Sequence, residues 1–178
     1  MTNCNKMSTQ LPTQMYPTTI FASVQPKMLS QVTEQLKHIQ GITYFSPVTG
    51  RFDIVIELKA AEPKQVYELV NKVRSIAGIT STRTYTPFES YVDGRNFQTT
   101  DSMALVLVQV NEQAQKVLQS MKQFPQIRNA FVVPGEFDII ASVYGKNHDE
   151  ILSQVSKIAE VQGVRTSETL FAYKPVWQ

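Results

Sequence analysis

Two hydrophobic periods alternate along this chain in a fixed order. Ile20 to Gln25 is short and rich in apolar and β-branched residues, which predicts a strand. From Lys27 to Ile39, the residues Leu29, Val32, Leu36 and Ile39 fall at helical spacing and predict an amphipathic helix. Ile42 to Val48 and Arg51 to Lys59 then read as two strands joined at Thr49-Gly50, where glycine tolerates the positive φ of a tight hairpin. Pro63 to Ile76 predicts a second helix, with Glu62-Pro63 at its start and Gly78 just past its end. Ile79 to Phe88 reads as a closing strand.

The same order returns further along. Leu105 to Val110 reads as a strand and Glu112 to Phe124 as a helix carrying Val117, Leu118 and Met121. Ile127 to Val133 and Glu136 to Tyr144 form a hairpin at Pro134-Gly135, followed by a helix over His148 to Val161 and a strand over Val164 to Tyr173. An offset of 85 positions pairs Gly50 with Gly135, Phe52 with Phe137, Asp53 with Asp138 and Gly78 with Gly163. It also pairs Val32 with Val117, Leu36 with Met121, Ile42 with Ile127 and Val73 with Ile158. One constant offset from the first helix onward points to a tandem duplication.

Each copy has the order β-α-β-β-α-β, the ferredoxin-like split βαβ unit of the α+β class. The expected organisation is a flexible tail over residues 1–18, a first unit over 19–90, a linker over 91–102 and a second unit over 103–178. The linker stretch "YVDGRNFQTTD" is polar and contains Asp-Gly, and the tail is rich in Asn, Thr, Gln and Ser.

Strand alternation places Phe52, Ile54, Ile56 and Leu58 on one face and Asp53, Val55, Glu57 and Lys59 on the other. In the second copy Phe137, Ile139, Ala141 and Val143 oppose Asp138, Ile140, Ser142 and Tyr144. Helices can cover only the first face. The second still holds Val55, Ile140 and Tyr144 and, by the same alternation, Phe21 and Phe45, which is too much apolar surface for water. The two sheets are therefore expected to cover each other as a dimeric-α/β-barrel-type pseudo-dimer with helices outside, and edge strands leave room for a homo-oligomer.

Composition narrows the function classes. The net charge is +2 and the Lys and Arg residues are scattered, so direct nucleic-acid binding is not expected. No apolar run approaches the length of a membrane span, and the N-terminus lacks the apolar core of a signal peptide, so no membrane association and a cytoplasmic location are expected. The single Cys4 cannot form an internal disulfide.

The run "GITYFSPVTGRFDIVIEL", a helix and "IAGITSTRTYTPF", with the second copy's "IRNAFVVPGEFDIIASV" and "VQGVRTSETLFAY", resembles the effector-binding domain of Lrp/AsnC feast/famine regulators from Ile20 to Tyr173. The resemblance implies a domain that dimerises through its sheets and binds a small polar metabolite such as an amino acid, or a metal ion, where dimers meet. It further implies that Asp53 and Asp138 contact the effector's amino group or shape the turn, that Gly50 and Gly135 bring backbone amides near the ligand, and that Thr82, Thr84, Ser167 and Thr169 contact it from the last strand. The family's helix-turn-helix has no room in the roughly 18 polar residues before the first strand, so DNA reading in the family's way is not expected. "STRT" in one copy stands where the other has "TSET", setting Arg83 against Glu168, so two sites in a pseudo-dimer are expected to differ.

Each of these residues also has a plain structural reading. An aspartate beside a hairpin accepts backbone N–H bonds, the glycines answer a positive φ, and the hydroxyl residues are ordinary strand formers. His38 and His148 share no repeat position and have no second ligand at metal spacing. Cys4 with Met1, Met7 and Met15 offers soft ligands for Cu(I), or is simply a polar tail containing sulfur. No nucleophile elbow, phosphate-binding glycine loop or catalytic triad pattern is visible, so no catalytic residue, metal site or cofactor is assigned. The expected function is a small-molecule-sensing or regulatory binding protein acting through ligand-linked assembly. The alternatives are a dimeric α/β-barrel enzyme of monooxygenase or haem-handling type, and a copper-binding protein.

Overall fold

The computed structural model describes residues 15–93 and 102–178. Residues 1–14, with Cys4, Met1 and Met7, and most of the segment read as a linker, residues 94–101, lie outside that description. The first unit runs β1 (Tyr16–Val24), α1 (Leu29–Leu36), β2 (Ile42–Pro47), β3 (Ile54–Ala60), α2 (Pro63–Arg74), β4 (Ile79–Tyr85) and β5 (Glu89–Val92). The second runs β6 (Ser102–Val110), α3 (Ala114–Met121), β7 (Ile127–Val132), β8 (Ile139–Gly145), α4 (His148–Ala159), β9 (Val164–Ala172) and β10 (Val176–Trp177). The strands form two antiparallel five-stranded sheets, ordered β10-β2-β3-β1-β4 and β5-β7-β8-β6-β9.

Apolar residues sort into three clusters that define the layers. Ile20, Val32, Leu36, Ile54, Ile56 and Leu58 fill the space between the first sheet and its helices. Val106, Val117, Met121, Ile139, Ile151 and Ile158 do the same in the second unit. The third cluster takes Phe21, Tyr44, Val55 and Tyr85 from one sheet and Leu105, Leu107, Ile140, Tyr144 and Leu170 from the other. The sheets cover each other's second faces, as Val55, Ile140 and Tyr144 require. At about 25 cal/mol per Å² of apolar surface, burying each large side chain there contributes on the order of 2 kcal/mol.

Three aromatic residues take a face opposite to the one strand alternation assigns. Phe45 packs toward the helices and Tyr44 points between the sheets. The β2–β3 pairing slips between Ile42 and Tyr44, and past that slip Tyr44 stands opposite Glu57 and Phe45 opposite Ile56. Phe52 and Phe137 join the inter-sheet cluster instead of the helix-facing ones. Regular pairing begins at Ile54 and Ile139, so these two rings precede the stretch where period two applies.

The closing strand expected over Ile79 to Phe88 is in fact two. Pro87, which lacks an N–H, stands between β4 in the first sheet and β5, which pairs with β7 at the edge of the second. In return β9 leads into β10, which pairs with β2. The crossings are equivalent: the Tyr173 N–H donates to the Pro47 carbonyl at 3.0 Å, and the Phe88 N–H donates to the Val132 carbonyl at 2.9 Å. The first strand also starts at Tyr16, within the segment expected to be tail.

Candidate functional site

Asp53 and Asp138 occupy matching places at a break in the strand ladders. The β1–β4 pairing shifts between Ser23 and Val24, and the Val24 N–H donates to Asp53 Oδ2 at 2.7 Å. In the second unit the shift falls between Gln109 and Val110, and the Val110 N–H donates to Asp138 Oδ2 at 2.8 Å. Each aspartate's own N–H donates to the neighbouring strand, to Ala22 O and Val108 O respectively, both at 2.9 Å. A bulge leaves a backbone donor without a ladder partner, and the carboxylate supplies one.

Gly50 has φ +108° and Gly135 φ +125°, as a tight turn demands. Close approach adds a second reason. A Cβ on Gly50 would lie 2.6 Å from Leu170 Cδ2, and one on Gly135 would lie 3.2 Å from Tyr85 Cε1, so each turn is pressed against a strand of the other unit, β9 and β4 respectively. Thr82 and Thr84 stand opposite Ala22 and Ile20, and Ser167 and Thr169 opposite Val108 and Val106. Ile20, Val106 and Val108 pack toward the helices. These hydroxyl residues therefore occupy the face of their strands opposite to Arg83 and Glu168.

On the inward face at this end lies a charged network. Arg51 Nη2 is 2.7 Å from Glu136 Oε1, Arg51 Nε is 3.3 Å from Glu168 Oε2, and Arg83 Nη1 is 2.7 Å from Glu136 Oε2. The Arg51 guanidinium also sits 4.9 Å from the ring centres of both Phe52 and Phe137. Since Phe52 and Phe137 are equivalent repeat positions, this end lies on the pseudo-two-fold axis, and the network plugs it.

The opposite end is open. A cavity of about 570 Å³ is lined by Glu57 and Lys59 of β3, Thr19 of β1, Asn129 and Phe131 of β7, and Trp177 of β10. Burial pushes the Glu57 carboxyl up to about 7, an effect that the Lys59 cation reduces. Beneath it, burial raises the Tyr44 and Tyr144 hydroxyls well above the usual phenol range; Glu57 and Tyr44 add to the rise at Tyr144, and Arg128 opposes it. Among the described residues Tyr44 Oη has no hydrogen-bond partner, and the Ser46 hydroxyl donates to the Pro47 and Tyr173 carbonyls. Arg128 Nη1 lies 3.5 Å from Asp93 Oδ2.

Trp177 and Val92, again 85 apart, both line this cavity, so the mouth also lies on the pseudo-axis. Its chemistry is not symmetric. The positions equivalent to Glu57, Lys59 and Tyr44 are Ser142, Tyr144 and Asn129. A symmetric dimer would bring two carboxylates to this axis, whereas a duplicated chain places one. Reading by residue type overlooked the cluster; the available signal was an acid and a lysine on the inward face of an otherwise apolar strand.

The sequence model of the Lrp/AsnC ligand binding domain matches residues 19–97 and again residues 103–178. The chain belongs to the Lrp/AsnC ligand binding domain family. Both repeats of this Lrp/AsnC chain are therefore copies of that domain. Among solved structures, the siroheme decarboxylase NirDL is similar with a TM-score of 0.68 and 11% identity, over 90% of this chain and 72% of that one. A chlorite dismutase variant from Candidatus Nitrospira defluvii has a TM-score of 0.60 and 9% identity, over 89% and 90% of the two chains. An anthrone oxidase-like protein has 0.54 and 9%, over 93% of each. At these identities the likeness is one of fold, the dimeric α/β barrel. No curated protein matches the chain significantly.

Neither histidine of the Lrp/AsnC chain faces the cavity: His38 and His148 are exposed, and the His148 ring packs edge-on against Phe171 at 4.9 Å. Among the described residues no three His, Cys, Asp or Glu side chains come together as metal ligands. Among them too, no helix is long and apolar enough to cross a membrane.

Proposed function

We propose that this Lrp/AsnC chain is a small-molecule-sensing binding protein that takes a small polar metabolite and acts through ligand-linked assembly. The observation that carries this reading is the mouth cavity, whose volume falls in the range of ligand pockets and whose walls combine apolar side chains with a few polar groups. Membership of a ligand-binding family supports it. The tandem arrangement supports it further, because two units in one chain can build one site of uneven chemistry where a homodimer builds symmetric ones. The mechanism is linkage: a ligand favours whichever assembly state binds it more tightly.

A thermal-shift screen of amino acids, amines and divalent ions tests the reading, since a bound ligand stabilises the folded state by RT ln(1 + [L]/Kd). Size-exclusion chromatography of each hit, with and without ligand, tests the assembly step. An active compound should shift both the melting temperature and the elution volume. A compound that shifts the first and leaves the second unchanged removes the assembly part.

A second reading is enzymatic, and Glu57 favours it. A carboxyl raised to about 7 and facing a cavity suits general acid–base chemistry. The distinguishing result is turnover of a bound compound, lost on Glu57→Gln while binding of that compound persists.

A further inference from the structure

We propose that the barrel mouth is a binding site for a compact organic cation, with the Glu57 carboxylate as its charge partner and Trp177 and Phe131 as its apolar walls. This deepens the sensing reading and rests on it for the claim that the cavity is a ligand site. Among the described residues the Glu57 carboxylate makes no hydrogen bond and no ion pair, and the half-buried residue lines the open cavity. A half-buried carboxylate in such a place is hydrated, protonated or paired with a cation that enters from outside, and of these the cation compensates its charge directly.

The surrounding charges do not remove that need. From its own strand, Lys59 faces the cavity without forming an ion pair with Glu57. From β7, Arg128 is engaged with Asp93. From β2 and β8, Tyr44 and Tyr144 are held neutral by burial. From β10, the Trp177 ring stands 4.4 Å from the Tyr44 ring and presents an aromatic surface to the cavity. Aromatic faces attract an organic cation. A divalent metal ion is a poor fit, because the cavity offers one carboxylate where such ions require several oxygen ligands. An anion would meet the carboxylate itself, and a neutral ligand would leave its charge uncompensated.

Divergence of the repeats fits a single positive charge. Ser142 stands where a second glutamate would be, so one negative charge serves one cation at the axis.

Trp177 is the chain's one tryptophan and lies at the mouth, which makes its fluorescence a direct reporter of the site. At pH 8, phenethylamine and choline should each change that fluorescence saturably, whereas phenylacetate and phenethyl alcohol should not. Glu57→Gln should weaken amine binding by about tenfold or more, with the circular dichroism spectrum unchanged. In the wild-type protein, affinity for phenethylamine should fall as pH drops through 7, while the amine itself stays protonated. This arm needs no variant and holds if Glu57→Gln fails to fold.

Equal binding of phenylacetate and phenethylamine, or wild-type affinity that is flat with pH, overturns the cation site. So does undiminished binding by a folded Glu57→Gln variant. A screen hit that stabilises the protein without altering Trp177 fluorescence leaves the sensing reading standing and removes this site. A cation that binds here without any change in assembly leaves this site standing and removes only the assembly part of the sensing reading.

Discussion

Arg51 and Glu136 occupy the same position in the two repeats and meet as an ion pair of 2.7 Å across the plugged end of the barrel. Arg83 and Glu168 are likewise equivalent, and both join the same network. Each pair of positions that was alike when the repeat arose now carries opposite charge, with the arginines in the first unit and the glutamates in the second. A unit facing a copy of itself would set like charges against each other, so the pattern favours each half pairing with its complement.

Reversing one charge should therefore cost more than reversing two. Arg51→Glu places three carboxylates together and is expected to destabilise the fold by roughly 1–2 kcal/mol, since the side chains are about one-third exposed and partly screened. The double change Arg51→Glu with Glu136→Arg should recover part of that loss. Urea denaturation of the four proteins in the cycle measures the coupling.

Asp53→Ala and Asp138→Ala each remove the acceptor for a bulge N–H, at an expected cost of about 1–3 kcal/mol. Amide exchange at Val24 should accelerate in the first variant and at Val110 in the second. If either variant keeps both its stability and its slow amide, the carboxylate's bond at the bulge is not what holds that turn.

Stability should depend on pH through Glu57. Its carboxyl is raised from 4.5 to about 7 in the folded chain, so the folded state holds the proton longer than the unfolded state. This group's contribution is therefore most favourable below about pH 4.5 and is lost as pH rises through 7. Glu57→Gln should leave stability near pH 4.5 little changed and raise it at pH 8, by at most about 3 kcal/mol. Melting temperatures of both proteins from pH 4.5 to 8 decide the point.

Gly50→Ala should be worse than Gly135→Ala. Both place a side chain at positive φ, but the new methyl at Gly50 lies 2.6 Å from Leu170 Cδ2, against 3.2 Å from Tyr85 Cε1 at Gly135. Overpacking adds roughly 1–3 kcal/mol to the backbone strain at the first site and less at the second. Equilibrium unfolding of both variants tests that order.

The repeat, the element order and the stacking of two sheets were legible because each is written in periodicity: the offset from Gly50 to Gly135, and the inward Val55, Ile140 and Tyr144. Phe45, Phe52 and Phe137 were misplaced because a one-residue slip in β2, or a turn before β3 and β8, resets the alternation, and neither leaves a mark in residue type. The mouth site was harder still. Glu57 sits on β3, Asn129 on β7 and Trp177 on β10, so only the folded topology brings them together. Arg83 against Glu168 was visible as a mismatch between repeats; that both belong to one network with Arg51 and Glu136 was not.

The exchange of β5 and β10 makes the two halves hostages of each other. Each unit surrenders its last strand to the far sheet, so neither can unravel without stripping an edge from its neighbour. A chain built this way gains from duplication a cooperativity that two separate copies would reach only at high concentration, because each half meets its partner at an effective concentration set by the connecting segment.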